Sequence, residues 1–182
     1  MASRKIAVII GSMRKESFNR KAAKAMMLLA PPTLDLEIIE IDQLPMYNQD
    51  DEASPPPLYT EFRDRIRQHD GILFFTPEYN RSIPGVLKNA IDVGSRPYGQ
   101  SAWNGKPCAV ISITPGALGA FGANHHLRQC LSCLNMPTMP QEAYISGVAG
   151  HFDGDTLTND STKAFLQTIV DNFASWVERH AD

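Results

Sequence analysis

Residues 6 to 20 read Ile6-Ala7-Val8-Ile9-Ile10-Gly11-Ser12-Met13-Arg14-Lys15-Glu16-Ser17-Phe18-Asn19-Arg20, five apolar residues running into a short polar stretch. Apolarity without alternation predicts a strand buried on both faces. The helix-forming run Lys21-Ala22-Ala23-Lys24-Ala25-Met26 follows at once, so the segment is strand, loop, helix. A helix starting just beyond a strand turns unpaired N–H groups and the positive end of its dipole toward the loop, which makes an anion site by geometry. The three glycines of a dinucleotide loop are absent, and so is the Lys-Ser/Thr ending of a P-loop. The loop offers instead Ser12, Ser17 and Asn19 as neutral groups and Arg14 as a forked cationic donor, a set suited to a terminal monophosphate. The dipole contributes only about 0.3 to 2 kcal/mol, so the side chains must carry much of the hold. A plainer reading makes Ser17 a helix cap and Arg14 a solvated charge.

Outward from this segment, strand-length apolar runs alternate with stretches of helical period. Ile72-Leu73-Phe74-Phe75 and Cys108-Ala109-Val110-Ile111-Ser112-Ile113 are nearly continuous and predict central strands. Leu36-Glu37-Ile38-Ile39-Glu40-Ile41 partly alternates, as an edge strand does, and a weaker fifth strand lies around Glu142-Ala143-Tyr144-Ile145. Leu58, Phe62 and Ile66 mark one helix, and Leu127, Cys130, Leu131 and Leu134 another. The longest stripe is Phe165, Leu166, Ile169, Val170, Phe173, Trp176 and Val177, with Asp160 or Ser161 placed to cap its helix. The pattern predicts an α/β fold: a flavodoxin-like three-layer α/β/α sandwich, with a five-stranded parallel sheet in the order 2-1-3-4-5, forming one domain over residues 1–182. In that order a ligand sits outside the carboxyl ends of strands one and three, as FMN does in flavodoxin. Function is therefore sought in the loops after strands one, three and four.

Composition narrows the rest. A chain of 182 residues, 43% hydrophobic and 20% charged, supplies one sizeable core and excludes wholesale disorder. Seventeen Lys and Arg against twenty Asp and Glu give a net charge of -3 with no block of one sign, which argues against nucleic-acid and membrane-surface partners. Ser3-Arg4-Lys5 before the first strand mimics a signal peptide only until Arg14 and Lys15, and no apolar run nears the ~20 residues of a membrane span. Three cysteines make no disulfide framework, so the expected compartment is the reducing cytoplasm.

The loop after strand three is Thr76-Pro77-Glu78-Tyr79-Asn80-Arg81-Ser82-Ile83-Pro84-Gly85, leading into Val86-Leu87-Lys88-Asn89-Ala90-Ile91-Asp92. Pro84 fits the first turn of a helix, with Ser82 or Ile83 before it. Two prolines bracketing Glu-Tyr-Asn-Arg-Ser hold the loop's amides in fixed directions, which suits the acceptor edge of a flavin, with Tyr79 as an aromatic wall. An ordinary strand-to-helix turn explains the same residues. After strand four, Ser112-Ile113-Thr114-Pro115-Gly116-Ala117-Leu118-Gly119-Ala120-Phe121-Gly122 carries three glycines in seven residues, permitting either close approach to a flat ring or simple turn chemistry. Phe121 stacks near a nicotinamide or belongs to the core.

Gly11-Ser-x-Arg14-x-x-Ser17-x-Asn19, followed by Thr76-Pro-Glu-Tyr-Asn-x-Ser-Ile-Pro-Gly-x-Leu-Lys-Asn-Ala-Ile-Asp92, resembles the NADPH-dependent FMN reductase family, which includes chromate and quinone reductases. The likeness runs from the first strand to Tyr144. It implies that Ser12, Arg14, Ser17 and Asn19 hold the FMN phosphate, that Pro77, Glu78, Tyr79 and Asn80 line the isoalloxazine ring, and that Ser112, Thr114, Pro115, Gly116 and Ala117 form a third flavin loop. Position 81, often aromatic in such reductases, is Arg here. The implied reaction passes hydride from NADPH or NADH to the flavin and then electrons to a small acceptor (a quinone, azo compound, chromate or free flavin) by alternate occupancy of one open face. No side-chain acid or base is obligatory for the first half, and no catalytic residue is assigned. The resemblance also implies a homodimer or homotetramer; Arg96, Tyr98 and the loop through Trp103 are candidate interface residues or, equally, ordinary surface.

Other features lead elsewhere. Cys130-Leu131-Ser132-Cys133 matches C-x-x-C but falls well inside a predicted helix, where packing is the expected role. His125 and His126 are adjacent and cannot both face one metal from a helix, so no metal is expected. Pro55-Pro56-Pro57 reads as a loop and helix start. Two alternatives to the reductase are a flavodoxin-type electron carrier, against which the mild charge argues, and a flavin-free phosphate-binding domain of the same topology.

Overall fold

Every strand expected from an apolar run forms, and the five pair in the order β2-β1-β3-β4-β5, all parallel. The structure is a computed structural model and describes residues 3–180. Its sheet strands are β1 (Arg4–Ile10), β2 (Leu34–Ile39), β3 (Gly71–Thr76), β4 (Cys108–Ile113) and β5 (Ala143–Ile145). The helices are α1 (Phe18–Leu29), α2 (Pro57–Arg67), α3 (Gly85–Gly94), α4 (Phe121–Cys133) and α5 (Asp160–His180). A two-stranded hairpin, β6 (Phe152–Asp153) with β7 (Thr156–Leu157), has no signature in the sequence because each strand is only two residues long.

Alternate residues of each central strand feed opposite cores. Ile6, Val8, Ile10, Leu73, Phe75, Ala109 and Ile111 face α1 and α5, while Ala7, Ile9, Ile72, Phe74, Cys108 and Val110 face α2, α3 and α4. The continuous apolarity of these strands is thus the mark of a sheet covered on both sides. The edge strand β2 begins and ends two residues earlier than its apolar run and shows the expected alternation.

Two helix starts fall one residue from their expected places. Asn159, not Asp160 or Ser161, caps α5, its Oδ1 accepting the Thr162 N–H at 2.8 Å. Pro84 stands at the cap position just before Gly85, where its fixed φ is equally suitable and no N–H is needed. Within the second motif Asn89 is structural: it accepts the Tyr47 N–H at 2.8 Å and donates to Leu44 and Pro45 carbonyls at 3.2 and 2.9 Å, pinning the chain between β2 and α2 onto α3.

The expectation that Trp103 itself lies at the surface, as interface or otherwise, is corrected. Trp103 is fully buried, its ring centroid 5.8 Å from Phe62 and 5.9 Å from Phe74, and its Nε1 donates to the Ile91 carbonyl at 2.9 Å. The indole fills the room left by the missing side chain of Gly94. Arg96 pairs with Glu52 at 3.5 Å over the Tyr47 ring, and only Tyr98, 91% exposed, projects outward.

The three thiols differ in environment. Burial pushes the Cys108 thiol up to about 12 and raises that of half-buried Cys130, whereas Cys133 is exposed. Labelling with a thiol reagent at pH 8 is expected to modify Cys133 first, Cys130 more slowly and Cys108 only on unfolding. Peptide mass spectrometry reads the order, and native-state labelling of Cys108 as fast as Cys133 would contradict this placement.

Candidate active site

From β1 the chain runs through α1 on one face of the sheet to β2, and from β3 through α3 on the other face to β4, so the connections diverge at the carboxyl ends of β1 and β3. A crevice forms at such a point because adjacent connections run to opposite faces of the sheet. A cleft lies there, lined by Ser12, Arg14, Ser17, Phe18, Asn19, Pro77, Glu78, Tyr79, Ile113, Thr114 and Pro115. All three loops singled out from the sequence contribute to it.

The first loop is held to the sheet by the Gly11 N–H, which donates to the Phe75 carbonyl at 2.8 Å. Ser17 caps α1, its Oγ accepting from the Arg20 N–H at 3.3 Å, so the capping role holds and coexists with a place in the cleft wall. Asn19, buried in the first turn of α1, donates through Nδ2 to the Ile113 carbonyl at 3.4 Å. Its Oδ1 is buried with no hydrogen-bond partner among the described residues. Such an orphan acceptor is costly unless a ligand satisfies it, and a ligand hydroxyl would. Arg14, on the rim, has no protein ion pair among the described residues, whereas neighbouring Arg20 and Lys21 are committed to Glu40 and Glu16. A free guanidinium, two serine hydroxyls, a helix N-terminus and an orphan amide oxygen together fit a phosphate ester carrying a hydroxylated chain, which is what FMN presents.

The second loop makes a tight reversal. Tyr79 and Ser82 exchange two backbone hydrogen bonds of 2.9 Å each, with Asn80 at φ 50° and Arg81 at φ 65° between them. Two consecutive positive φ values define the mirror-image hairpin turn, for which glycine is the usual second residue. Asparagine adopts this conformation readily, whereas holding arginine there costs on the order of 1–2 kcal/mol. Attachment to α4 supports the strain: Glu78 Oε2 accepts the Ala123 N–H at 3.1 Å in the first turn of that helix, and its Oε1 takes Arg81 Nη1 at 3.2 Å. Glu78 thus lines the cleft, but its carboxylate is engaged in tying the turn to the helix. Gly122 makes the approach possible, since a Cβ there would lie 2.9 Å from Glu78 Oε2 and 3.0 Å from the Arg81 carbonyl oxygen.

Glycine to alanine in a helix ordinarily stabilises by up to ~1 kcal/mol. Gly122→Ala is expected to do the reverse, costing about 1–2 kcal/mol through overpacking against the turn. Urea denaturation supplies the sign, and a stabilised variant would refute the close approach.

The third loop is positioned from beneath. Ser112 is fully buried, donating to the Gly119 carbonyl at 2.7 Å and accepting from Asn124 Nδ2 at 3.1 Å. Asn124 also accepts from Arg128 Nε at 2.9 Å, and the Arg128 guanidinium reaches the Met139 and Gln141 carbonyls at 2.9 Å each. This network clamps the loop and β5 to α4, so Ser112 supports the loop from below and does not line the cleft. Asn80, Gly116 and Ala117 also lie outside the cleft wall, the first at the turn tip and the other two on the exposed far side of the third loop. Phe18 and Ile113, which line it, went unassigned, although each adjoins an assigned residue.

Four exposed apolar side chains stand on these loops: Met13, Tyr79, Leu118 and, at the start of α4, Phe121. The core reading of Phe121 is corrected, for the ring is 53% exposed and stacks 4.3 Å from His125 and 5.7 Å from Tyr144. The Tyr144 hydroxyl donates to Glu142 at 2.6 Å, and burial together with that carboxylate pushes it up to about 12. Among the described residues no three His, Cys, Asp or Glu side chains converge to hold a metal ion.

A parallel sheet with a phosphate-type crevice at its switch point defines a flavodoxin-like nucleotide-binding protein. The sequence profile described as NADPH-dependent FMN reductase matches residues 4–150, and the chain belongs to that family. It is 60% identical over 175 residues to a quinone reductase of Pseudomonas putida strain KT2440, covering 95% of this chain and 94% of the relative. It is 43% identical over 175 residues to a 2-hydroxy-1,4-benzoquinone reductase of Burkholderia sp., covering 95% and 96% of the two chains. The solved structure of FerB, a flavoenzyme NAD(P)H:(acceptor) oxidoreductase from Paracoccus denitrificans, superposes with a TM-score of 0.92 at 42% identity, covering 98% of this chain and all of that one. The protein is an oxidoreductase that uses FMN with NAD(P)H as co-substrate.

Proposed function

We propose that this reductase passes electrons from NAD(P)H to quinone-type acceptors, gripping the FMN phosphate with Ser12, Arg14, Ser17 and the first turn of α1. Asn19 Oδ1 then accepts from a hydroxyl of the ribityl chain. Pro77, Tyr79 and the amides of the second and third loops, Thr114 and Pro115 among them, bound the ring. One observation carries the reading: an unpaired guanidinium and an orphaned buried acceptor share a cleft at the switch point of the sheet.

When bound, FMN supplies the two-electron chemistry. The protein's own contribution is placement. Amides held in fixed directions by the second and third loops would stabilise negative charge on the ring's acceptor edge without reorganising. Tyr79, half exposed in the cleft wall, offers an aromatic face suited to a flat aromatic acceptor, which supports a quinone over an oxyanion such as chromate. The names of the relatives from Pseudomonas and Burkholderia favour the same acceptor class. No helix among the described residues is long and apolar enough to cross a membrane. A cytoplasmic homodimer or homotetramer, built from one FMN-binding domain spanning residues 1–182, completes the proposal.

Anaerobic mixing of the flavin-loaded protein with NADPH alone is expected to bleach the bound flavin, and a benzoquinone added afterwards to restore its colour. Failure to bleach without a partner protein would favour the electron-carrier reading. Bleaching followed by reoxidation with chromate but not with benzoquinone would overturn the acceptor assignment.

A further inference from the structure

The turn beside the cleft is also held by Ser82 and His126, neither of which lines the cleft. Ser82, which closes the turn Tyr79–Ser82, meets His126 on the second turn of α4, Oγ to Nδ1 at 2.7 Å. This is a contact between residues 44 apart, and it lies one helical turn from the Glu78 attachment to the Ala123 N–H. The turn therefore has two anchors on one helix, one at each end of its left-handed pair Asn80 and Arg81. Ser82 exchanges both backbone hydrogen bonds of the turn with Tyr79, so the Ser82 anchor bears on Tyr79 as well as on the left-handed pair.

We propose that His126 is a positioning residue: by holding Ser82 it fixes the left-handed pair, and with it the direction of Tyr79 and of the turn amides that face the flavin. The inference rests on the flavin-site reading above and adds a residue to it that touches neither cofactor nor substrate. Backbone strain at such a turn persists only where surrounding contacts over-determine it. Small displacements of groups that orient reactants lower rates well out of proportion to their effect on stability.

A double-mutant cycle on the flavin-loaded enzyme tests this. Ser82→Ala and His126→Ala are each expected to lower kcat/KM for NADPH by about tenfold, and the double variant by about the same factor and not by their product, because both remove one contact. The visible circular dichroism of bound FMN, which reports ring environment, is expected to change in both single variants and no further in the double. His126→Asn, which keeps a hydrogen-bonding atom near the Nδ1 position, is expected to restore most of the wild-type rate and spectrum. Multiplicative single effects, an asparagine variant no better than alanine, or a lowered thermal midpoint with unchanged rates and spectra would overturn the proposal. Ser82 and His126 variants that bind FMN and keep wild-type rates and spectra refute this inference alone; wild-type protein that binds no FMN refutes the site.

Discussion

Arg14→Glu is expected to weaken FMN binding by about 100-fold and to leave the thermal midpoint of the flavin-free protein within about 2 °C of wild type. The side chain is exposed and has no protein ion pair among the described residues, so the fold loses little when it is replaced. The ligand loses a charge-assisted contact and meets a carboxylate in its place. Two unit charges about 4 Å apart near a protein surface interact by roughly 4 kcal/mol. Exposure and salt reduce that, and a net loss of about 3 kcal/mol corresponds to about two orders of magnitude in affinity. Arg14→Ala, which removes the attraction without adding repulsion, falls between. Quenching of flavin fluorescence on titration measures all three proteins. Unchanged affinity in Arg14→Glu would leave the phosphate elsewhere, and the plain reading of Arg14 as a solvated charge would stand.

Gly94→Ala carries the largest expected effect on stability, about 3 kcal/mol. A Cβ at this position would lie 2.5 Å from both Cε2 and Nε1 of Trp103. The indole cannot turn aside, since it is fully buried, wedged against Phe62 and Phe74, and bonded to the Ile91 carbonyl on the helix that carries Gly94. Either the indole tilts and leaves its N–H unsatisfied, or α3 moves off the sheet. Overpacking of this kind costs typically 1–3 kcal/mol and more where neighbours are rigid. For a domain of this size that is a fall of about 6–12 °C in thermal midpoint. Trp103→Phe in the same background, with its smaller ring, is expected to recover part of the loss. A Gly94→Ala protein as stable as wild type would mean that the indole does not occupy that space.

What could be read in advance follows from how directly a pattern maps onto burial. The runs at Ile6–Ile10, Ile72–Phe75 and Cys108–Ile113 are apolar on both faces because helices cover both faces, and the sheet order follows from their number and spacing. The loop residues of the cleft were legible because each follows a legible strand. Trp103 was misread because it sits in a segment ending at Gly105 that looks like surface; its partner Gly94 is nine residues upstream, and a hole left by a glycine has no sequence signature. The network that joins Ser112 to buried Asn124 and half-buried Arg128 escaped notice for a similar reason, although Ser112 itself was singled out. Asn124 and Arg128 stand four apart on α4 beside the apolar positions Leu127 and Leu131, a polar interruption of a stripe that signals a buried network only once the facing carbonyls are known. The positive φ at Arg81 contradicts the local preference of arginine, and contacts from α4, far along the chain, help to sustain it.

Parallel calorimetric titrations of the flavin-free protein with FMN and with riboflavin test the central claim most directly, because the two ligands differ only in the phosphate. The account predicts one FMN site per chain and binding of riboflavin at least about 100-fold weaker. Equal affinity for the two, or no heat with either, would contradict it.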